Sequence, residues 1–102
     1  MIQVIATIEL KPGCREAFLP ILNENIPKVK DEDGCLAYDP FVDVDGGLPS
    51  QGEIRADAVI LVEAWRNIDA LRAHLKAPHM AEYRDKVKDL VTNVTIQVLK
   101  PI

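Results

Sequence analysis

The segment IQVIATIEL, residues 2–10, alternates along its whole length and constrains the fold more than any other part of the sequence. Every second residue from Ile2 to Leu10 is apolar, whereas the residues between them mix polar side chains with Ile5. A period of two is typical of a β-strand, because successive side chains of a strand point to opposite faces of the sheet. The chain therefore begins with a predicted strand whose two faces differ.

The rest of the chain adds three further strands and two helical regions. Apolar residues recur at helical spacing after about Cys14, and the turn residues DEDG, 31–34, end that helix. Pro78 breaks the second helical region, because proline cannot continue a helix but can begin one. The order β-α-β-β-α-β predicts a single α+β domain over residues 1–102, ferredoxin-like, with a four-stranded antiparallel sheet. The predicted strands after the first are residues 35–44, 58–65 and 92–100, and the broken helix is residues 68–77 followed by a helix from Pro78.

One face of this sheet should pack against the helices, and the other is expected to be too apolar to remain in water. We expect a second copy of the chain to cover that open face, sheet against sheet, in a two-fold homodimer. The open face is expected to carry Ile5, Thr7, Leu61, Glu63, Trp65, Thr95, Gln97 and Leu99.

Charge and hydropathy exclude several classes of partner. The net charge is −4 and the sequence has no basic run, which argues against nucleic acid, since its phosphates require clustered Lys and Arg. No apolar stretch approaches the roughly 20 residues of a membrane-spanning helix. The N-terminus also lacks the basic region of a signal peptide. We therefore expect a cytoplasmic protein that binds neither nucleic acid nor membrane.

Three stretches carry a likeness to a known family: GCLAYD (34–39), LVEAW (61–65) and ALRAHLKAPHMAEY (70–83). With them the chain resembles the antibiotic biosynthesis monooxygenase (ABM) family, and most of all its small quinol-monooxygenase-like members. The resemblance implies the dimeric α+β barrel fold. It also implies a cofactor-independent monooxygenase, without metal or flavin, that oxidises a quinol, phenol or polyketide-like aromatic with molecular oxygen. An ionised phenol is electron-rich enough to react with oxygen itself, so the protein has to bind the ring and remove a proton.

A haem-degrading branch of the same superfamily uses an Asn, a Trp and a His. The corresponding positions of this chain carry Ala6, His74 and Arg84. Haem binding is therefore not expected.

The candidate catalytic residues are His74 and Tyr83. Histidine has an ordinary pKa near neutrality, so His74 is the preferred general base, with a structural histidine as the alternative. Tyr83 and Tyr38 can donate hydrogen bonds to a phenolate oxygen. His79 follows the helix break and either contacts the ligand or caps the helix. A zinc site built from His74 and His79 has no third ligand in the sequence.

Three further residues are candidates for substrate binding. Glu63 stands in an apolar strand and must be paired if it is buried; an ion pair with Arg66 or Arg84 across the dimer is preferred over proton transfer. Trp65 either packs at the dimer contact or forms a wall of the substrate pocket. Arg84 either holds an acidic group of the ligand or is simply exposed.

Two other functions fit the same residues. One is a non-catalytic dimeric module that binds a small molecule, because fold does not fix function. The other is a cofactorless isomerase or cyclase of a related aromatic substrate, which needs only a base and a pocket. Oxygen consumption with hydroquinones separates an oxygenase from both.

Overall fold

The computed structural model describes all 102 residues and contains four strands and three helices. The predicted order of elements is confirmed, including the break of the second helical region at Pro78. Residues 42–57, which follow the second strand, form no helix or strand. No helix combines the length and hydrophobicity needed to cross a membrane. The elements are β1 (Ile2–Leu10), α1 (Arg15–Lys30), β2 (Cys35–Phe41), β3 (Ala58–Trp65), α2 (Ile68–Leu75), α3 (Pro78–Val87) and β4 (Val91–Leu99).

The four strands form one antiparallel sheet in the order β2-β3-β1-β4, which confirms the α+β ferredoxin-like class. The alternating segment β1 lies in the interior of the sheet and pairs with β3 on one side and β4 on the other. Val4 of β1 lies opposite Glu63 of β3 and Val98 of β4. Since directly opposite residues share a face, this register determines which side chains meet the helices.

The core lies between the helices and one face of the sheet. Val4, Ala6 and Ile8 of β1 are no more than 4% exposed, and Phe18 and Leu22 of α1 cover them from the helical layer. This is the pattern that the alternation of β1 predicts for a sheet covered on one side.

The predicted composition of the open face is correct for β1 and β4 but wrong for β3. Leu61, Glu63 and Trp65 are at most 4% exposed and lie on the helix-covered face, opposite Ala6, Val4 and Ile2. A shift of one residue in register moves every side chain of a strand to the other face, and β3 is apolar on both faces, so its alternation could not fix the register. The open face instead carries Ile60 and Val62 beside Ile5.

The turn between α1 and β2 passes unusually close to α2. Gly34 has a φ of +84°, and a Cβ atom placed on it would lie 2.6 Å from Cβ of Ala70. The Gly34 carbonyl accepts a hydrogen bond of 2.8 Å from the backbone N–H of Arg66, and the Arg66 side chain pairs with Asp33 at 2.8 Å. Only glycine meets both the positive φ and the lack of space at this position.

Replacing Gly34 with alanine should destabilise the fold more than the same change at Gly13. Gly13 also has a positive φ, of 77°, but no atom lies within 4 Å of its added Cβ. Gly13→Ala should therefore lower the free energy of unfolding only through the strain of a positive φ on a residue with a Cβ, by about 1–2 kcal/mol. Gly34→Ala adds a steric clash with Ala70, worth roughly 1–3 kcal/mol more. Urea unfolding at one fixed protein concentration measures both losses. Equal losses in the two variants would contradict the close approach of the turn to α2.

Candidate active site

A cavity of about 350 Å³ lies between the helix-covered face of the sheet and the helices α2 and α3. Sixteen residues line it, and twelve of them are hydrophobic. Its outer border includes Val94 and Ile96 of β4, which are 50% and 38% exposed because no helix covers the end of the sheet that they occupy. A mostly apolar cleft of this size, with a few polar groups, is typical of a small-molecule site.

His74 is the buried histidine of this cavity, at 2% exposure. It lies on α2, whose first turn is capped by the Asn67 side chain accepting a 2.9 Å hydrogen bond from the Ala70 N–H. Its Nδ1 lies 2.7 Å from Oε2 of Glu32, in the turn between α1 and β2. An ionised carboxylate can only accept, so Nδ1 donates, and Nε2 of the neutral ring is left with a free lone pair. Burial lowers the pKa of His74, partly offset by the hydrogen bond to Glu32 and its charge, which favours this neutral form.

Two aromatic rings fix the orientation of His74. Trp65 lies against it with ring centroids 4.7 Å apart, and Tyr38 meets it edge-to-face at 5.5 Å. Trp65 is fully buried behind the histidine and does not line the cavity, whereas Tyr38 does. Packing on the ring and a hydrogen bond at Nδ1 together hold one rotamer and one tautomer.

Glu63 lines the same cavity and is 4% exposed. Its Oε1 accepts a 2.9 Å hydrogen bond from Nε1 of Trp65, two residues along β3. Burial raises the pKa of Glu63 to about 7, the negative charge of Glu32 adds to the rise, and the Trp65 hydrogen bond opposes it. A carboxyl group in this state is neutral in mildly acidic solution and ionised above neutrality, so it can release or accept a proton inside the cavity.

Tyr83 and Arg84 of α3 and Tyr38 of β2 are further polar residues of the cavity. Burial raises the pKa of Tyr83 to about 12, and it raises the pKa of Tyr38 well above its usual value. Both phenols therefore stay protonated at neutral pH and can donate hydrogen bonds to a ligand oxygen. Arg84 lines the cavity and donates a 2.7 Å hydrogen bond to the carbonyl of Leu75. This hydrogen bond links Arg84 of α3 to the end of α2.

His79 belongs to the same cluster but lies outside the cavity wall. Its Nε2 is 3.3 Å from Oε2 of Glu32, and its Nδ1 is 3.0 Å from Oδ1 of Asn25 on α1. One carboxylate oxygen of Glu32 thus lies between the two histidines of the chain. No group of three His, Cys, Asp or Glu side chains is arranged to hold a metal ion.

The structure thus brings five of the seven predicted site residues to one cavity and keeps two behind it. Within one chain Glu63 forms no ion pair with Arg66 or Arg84, because Glu63 bonds to Trp65, Arg66 pairs with Asp33 and Arg84 bonds to Leu75; the ion pair expected across the dimer stays a prediction. The proposed place of Trp65 at a dimer contact is also wrong, because its ring is buried under the helices. Tyr38, Glu63, His74, Tyr83 and Arg84 line the cavity.

Glu32 is the residue beside the site that the sequence did not reveal. It stands in DEDG, a run of acidic turn residues that reads as a helix end. Its side chain is only 16% exposed, far less than the neighbouring Asp33 at 91%. No pattern within the run distinguishes the two, because the difference comes from the approach of α2.

Glu63→Gln should change how stability depends on pH. A carboxyl whose pKa rises from 4.5 to about 7 on folding stabilises the fold fully below pH 4.5, and this contribution is lost as the pH rises to about 7. Glutamine keeps an acceptor for Trp65 but carries no charge. Relative to the wild type, the variant should therefore gain up to about 3 kcal/mol between pH 4.5 and pH 8. Denaturant titrations across that range measure the gain. Glu53→Gln, at an exposed loop position, is the control, and a gain no larger than in that control would contradict the buried state of Glu63.

Known proteins resemble this chain in sequence and in structure. The sequence pattern of the family described as Antibiotic biosynthesis monooxygenase matches residues 1–86. YgiN of Escherichia coli strain K12, which is named a probable quinol monooxygenase, is 38% identical over 103 residues, covering 99% of this chain and 98% of YgiN.

Solved structures agree with the sequence comparison. Rv0793 from Mycobacterium tuberculosis superposes with a TM-score of 0.78 at 32% identity, over 99% of this chain and 94% of that one. PA3566 from Pseudomonas aeruginosa superposes with a TM-score of 0.79 at 28% identity, over 99% and 93% of the two chains. The match across residues 1–86 and the near full-length likeness to YgiN lead to one conclusion: the chain belongs to the antibiotic biosynthesis monooxygenase family.

Proposed function

We propose that the protein is a cofactor-independent monooxygenase that oxidises a quinol or a related phenol with molecular oxygen. The observation that carries the proposal is the pairing of a largely apolar cavity with His74, whose Nδ1 is held by Glu32 at 2.7 Å. The apolar wall suits an aromatic ring, and the free Nε2 suits a phenolic proton. The name of YgiN supports a quinol as the substrate class.

The chemistry balances without a further reductant. When a hydroquinone reacts with O₂ to give a hydroxyquinone and water, the ring supplies all four electrons that O₂ accepts. One oxygen atom enters the ring, and the other leaves as water. The protein has to remove the phenolic proton, because the phenolate is the electron-rich form that oxygen can oxidise. In this scheme the O–H bond of the substrate breaks and an N–H bond forms at His74 Nε2.

The other cavity residues take supporting roles in this proposal. Tyr83 and Tyr38, both protonated at neutral pH, donate hydrogen bonds to the substrate oxygens and stabilise the developing phenolate. Glu63 contacts the second polar end of the substrate, as a donor when protonated and as an acceptor when ionised. Arg84 attracts the phenolate or an acidic substituent. Trp65 and His79 act from behind the cavity wall, on His74 and on Glu32.

His74→Ala should lower the rate of oxygen consumption by about 10²–10⁴-fold, the usual contribution of a general base. The rate is measured with an oxygen electrode over hydroquinones, catechols and anthrones, with the autoxidation rate subtracted. Asn23→Ala, at an exposed position of α1, is the matched control and should keep the wild-type rate.

Three results would count against this function. A wild-type rate in His74→Ala would remove the role of the histidine. Substrate loss in a matched anaerobic reaction would indicate an isomerase or cyclase instead. Ligand binding without turnover under either condition would indicate a non-catalytic binding module.

A homodimer formed through the open sheet face is part of the same proposal. The half-buried side chains Ile5, Ile60 and Val62 lie side by side at the centre of that face, with Phe41 of β2 54% exposed beside them. A contiguous apolar patch on an uncovered sheet is stabilised when a second sheet packs on it. The second copy would leave the cavities free, because they lie on the opposite face of each sheet.

Val62→Lys should convert a dimer of about 23 kDa into a monomer of 11.3 kDa in sedimentation velocity, because it places a charge at the centre of the apolar face. Leu48→Lys introduces the same charge at a loop position that is 64% exposed, and it should leave the dimer intact. A wild-type monomer, or a Val62→Lys dimer as tight as the wild type, would contradict a contact through this face.

A further inference from the structure

Four side chains form a connected series that starts at Met80 in the cavity wall and continues behind it through Asn25 and His79 to Glu32. Nδ2 of Asn25 lies 3.3 Å from Sδ of Met80, and both residues are 6% exposed. A thioether sulphur accepts weakly and cannot donate. The contact therefore orients the Asn25 amide with its N–H toward the sulphur and its carbonyl oxygen away from it.

The orientation of the Asn25 amide determines whether Nδ1 of His79 carries a hydrogen. Oδ1 of Asn25 lies 3.0 Å from Nδ1 of His79. Since Oδ1 can only accept, Nδ1 of His79 must carry a hydrogen and donate it.

The second nitrogen of His79 lies beside a carboxylate oxygen, and a proton on this nitrogen would replace their repulsion with attraction. Nε2 is buried, has no hydrogen-bond partner that meets ordinary geometry, and lies 3.3 Å from Oε2 of Glu32. In a neutral ring protonated at Nδ1, Nε2 would hold a buried lone pair 3.3 Å from a carboxylate oxygen. The two atoms are not aligned for a hydrogen bond, but a buried lone pair beside a negative charge is unfavourable. A proton on Nε2 gives the ring a positive charge and turns the contact into an ion pair.

We propose that His79 is a positioning residue: a half-buried imidazolium that keeps Glu32 ionised as the acceptor for Nδ1 of His74, and whose own positive charge keeps His74 neutral, with Nε2 as the proton acceptor of the cavity. The role assigned to His74 rests on the proposed function, but the charge on His79 does not. At rest the three side chains have a net charge of zero. When the substrate gives its proton to His74 Nε2, their net charge becomes +1, and the Glu32 carboxylate lies between two imidazolium rings.

The charged groups around His74 act in opposite directions. Glu32 favours a proton on His74, whereas His79 and Arg84 of α3 disfavour it. Glu63 of β3 and Tyr38 of β2 lie on the sheet side of the same cavity. Removing the positive charge at position 79 should therefore make His74 easier to protonate, and removing the negative charge at position 32 should make it harder.

The first test reads the protonation of both rings directly. The chain has only two histidines, so ¹⁵N-labelling of histidine in tag-free protein gives two imidazole patterns, which His79→Gln assigns. Two-bond ¹H–¹⁵N correlation spectra at pH 7 should show His79 with both nitrogens protonated and His74 as the neutral Nδ1–H tautomer. A neutral His79 in either tautomer would overturn the proposal; the Nε2–H form would mean that the Asn25 amide is reversed.

Glu32→Gln tests the source of the charge. Glutamine cannot stabilise an imidazolium as a carboxylate does, so His79 should lose its second proton in this variant at pH 7. Glu24→Gln, which removes an exposed carboxylate of α1 that lies 3.9 Å from Lys86, is the matched control and should leave both ring patterns unchanged. A doubly protonated His79 in Glu32→Gln would also overturn the proposal.

The pH profile of oxygen consumption separates a positioning role from a merely structural one. In His79→Gln the acidic limb of the pH profile should shift toward higher pH by about half a unit or more, because His74 gains its proton at higher pH. A lower rate with an unmoved limb would remove the positioning role. If no quinol supports oxygen consumption, the proposed function fails, while the ring patterns still decide the charge on His79.

Discussion

The close approach of the Gly34 turn to α2 is the contact on which the site depends. Glu32 lies two residues before Gly34, and its carboxylate reaches His74 only because the turn lies directly against the helix. The backbone hydrogen bond from Arg66 to Gly34 anchors the turn to the end of β3, where α2 begins. A turn held by glycine thus brings together a carboxylate and a histidine that are 42 residues apart in the sequence.

The two carboxyl groups near His74 lie in different environments. Glu32 is paired with imidazole nitrogens outside the cavity wall, whereas Glu63 meets an indole N–H within an apolar strand. The charge on Glu32 helps to hold the proton on Glu63. A carboxyl with a raised proton affinity and a neutral histidine give the cavity both an acid and a base near pH 7.

The elements of the fold could be predicted from the sequence because each has its own periodicity. β1 alternates, α1 repeats at helical spacing, and Pro78 marks the break before α3 within a residue. The open face of β3 could not be predicted, because apolar side chains on both faces leave its register with β1 undetermined. His74 and Glu63 stood out as polar residues in apolar surroundings, and they do line the cavity. Glu32 and Asn25 could not be found in the same way, since tertiary contacts bury them: Glu32 stands between two aspartates, and Asn25 follows Asn23 and Glu24.

The sheet continues beyond the helices at β4, and this has a consequence for selectivity. Val94 and Ile96 extend the apolar floor of the cavity to a side that no helix covers. Apart from Lys88, which directly follows α3, every lining side chain able to form a directional bond comes instead from β2, β3 and the short helices. A bound molecule would therefore meet directional polar contacts at one end and mainly apolar contacts at the other. If the proposed function holds, chemical variety in a ring substituent would be tolerated on the β4 side, and one cavity could accept related aromatics that share one polar head.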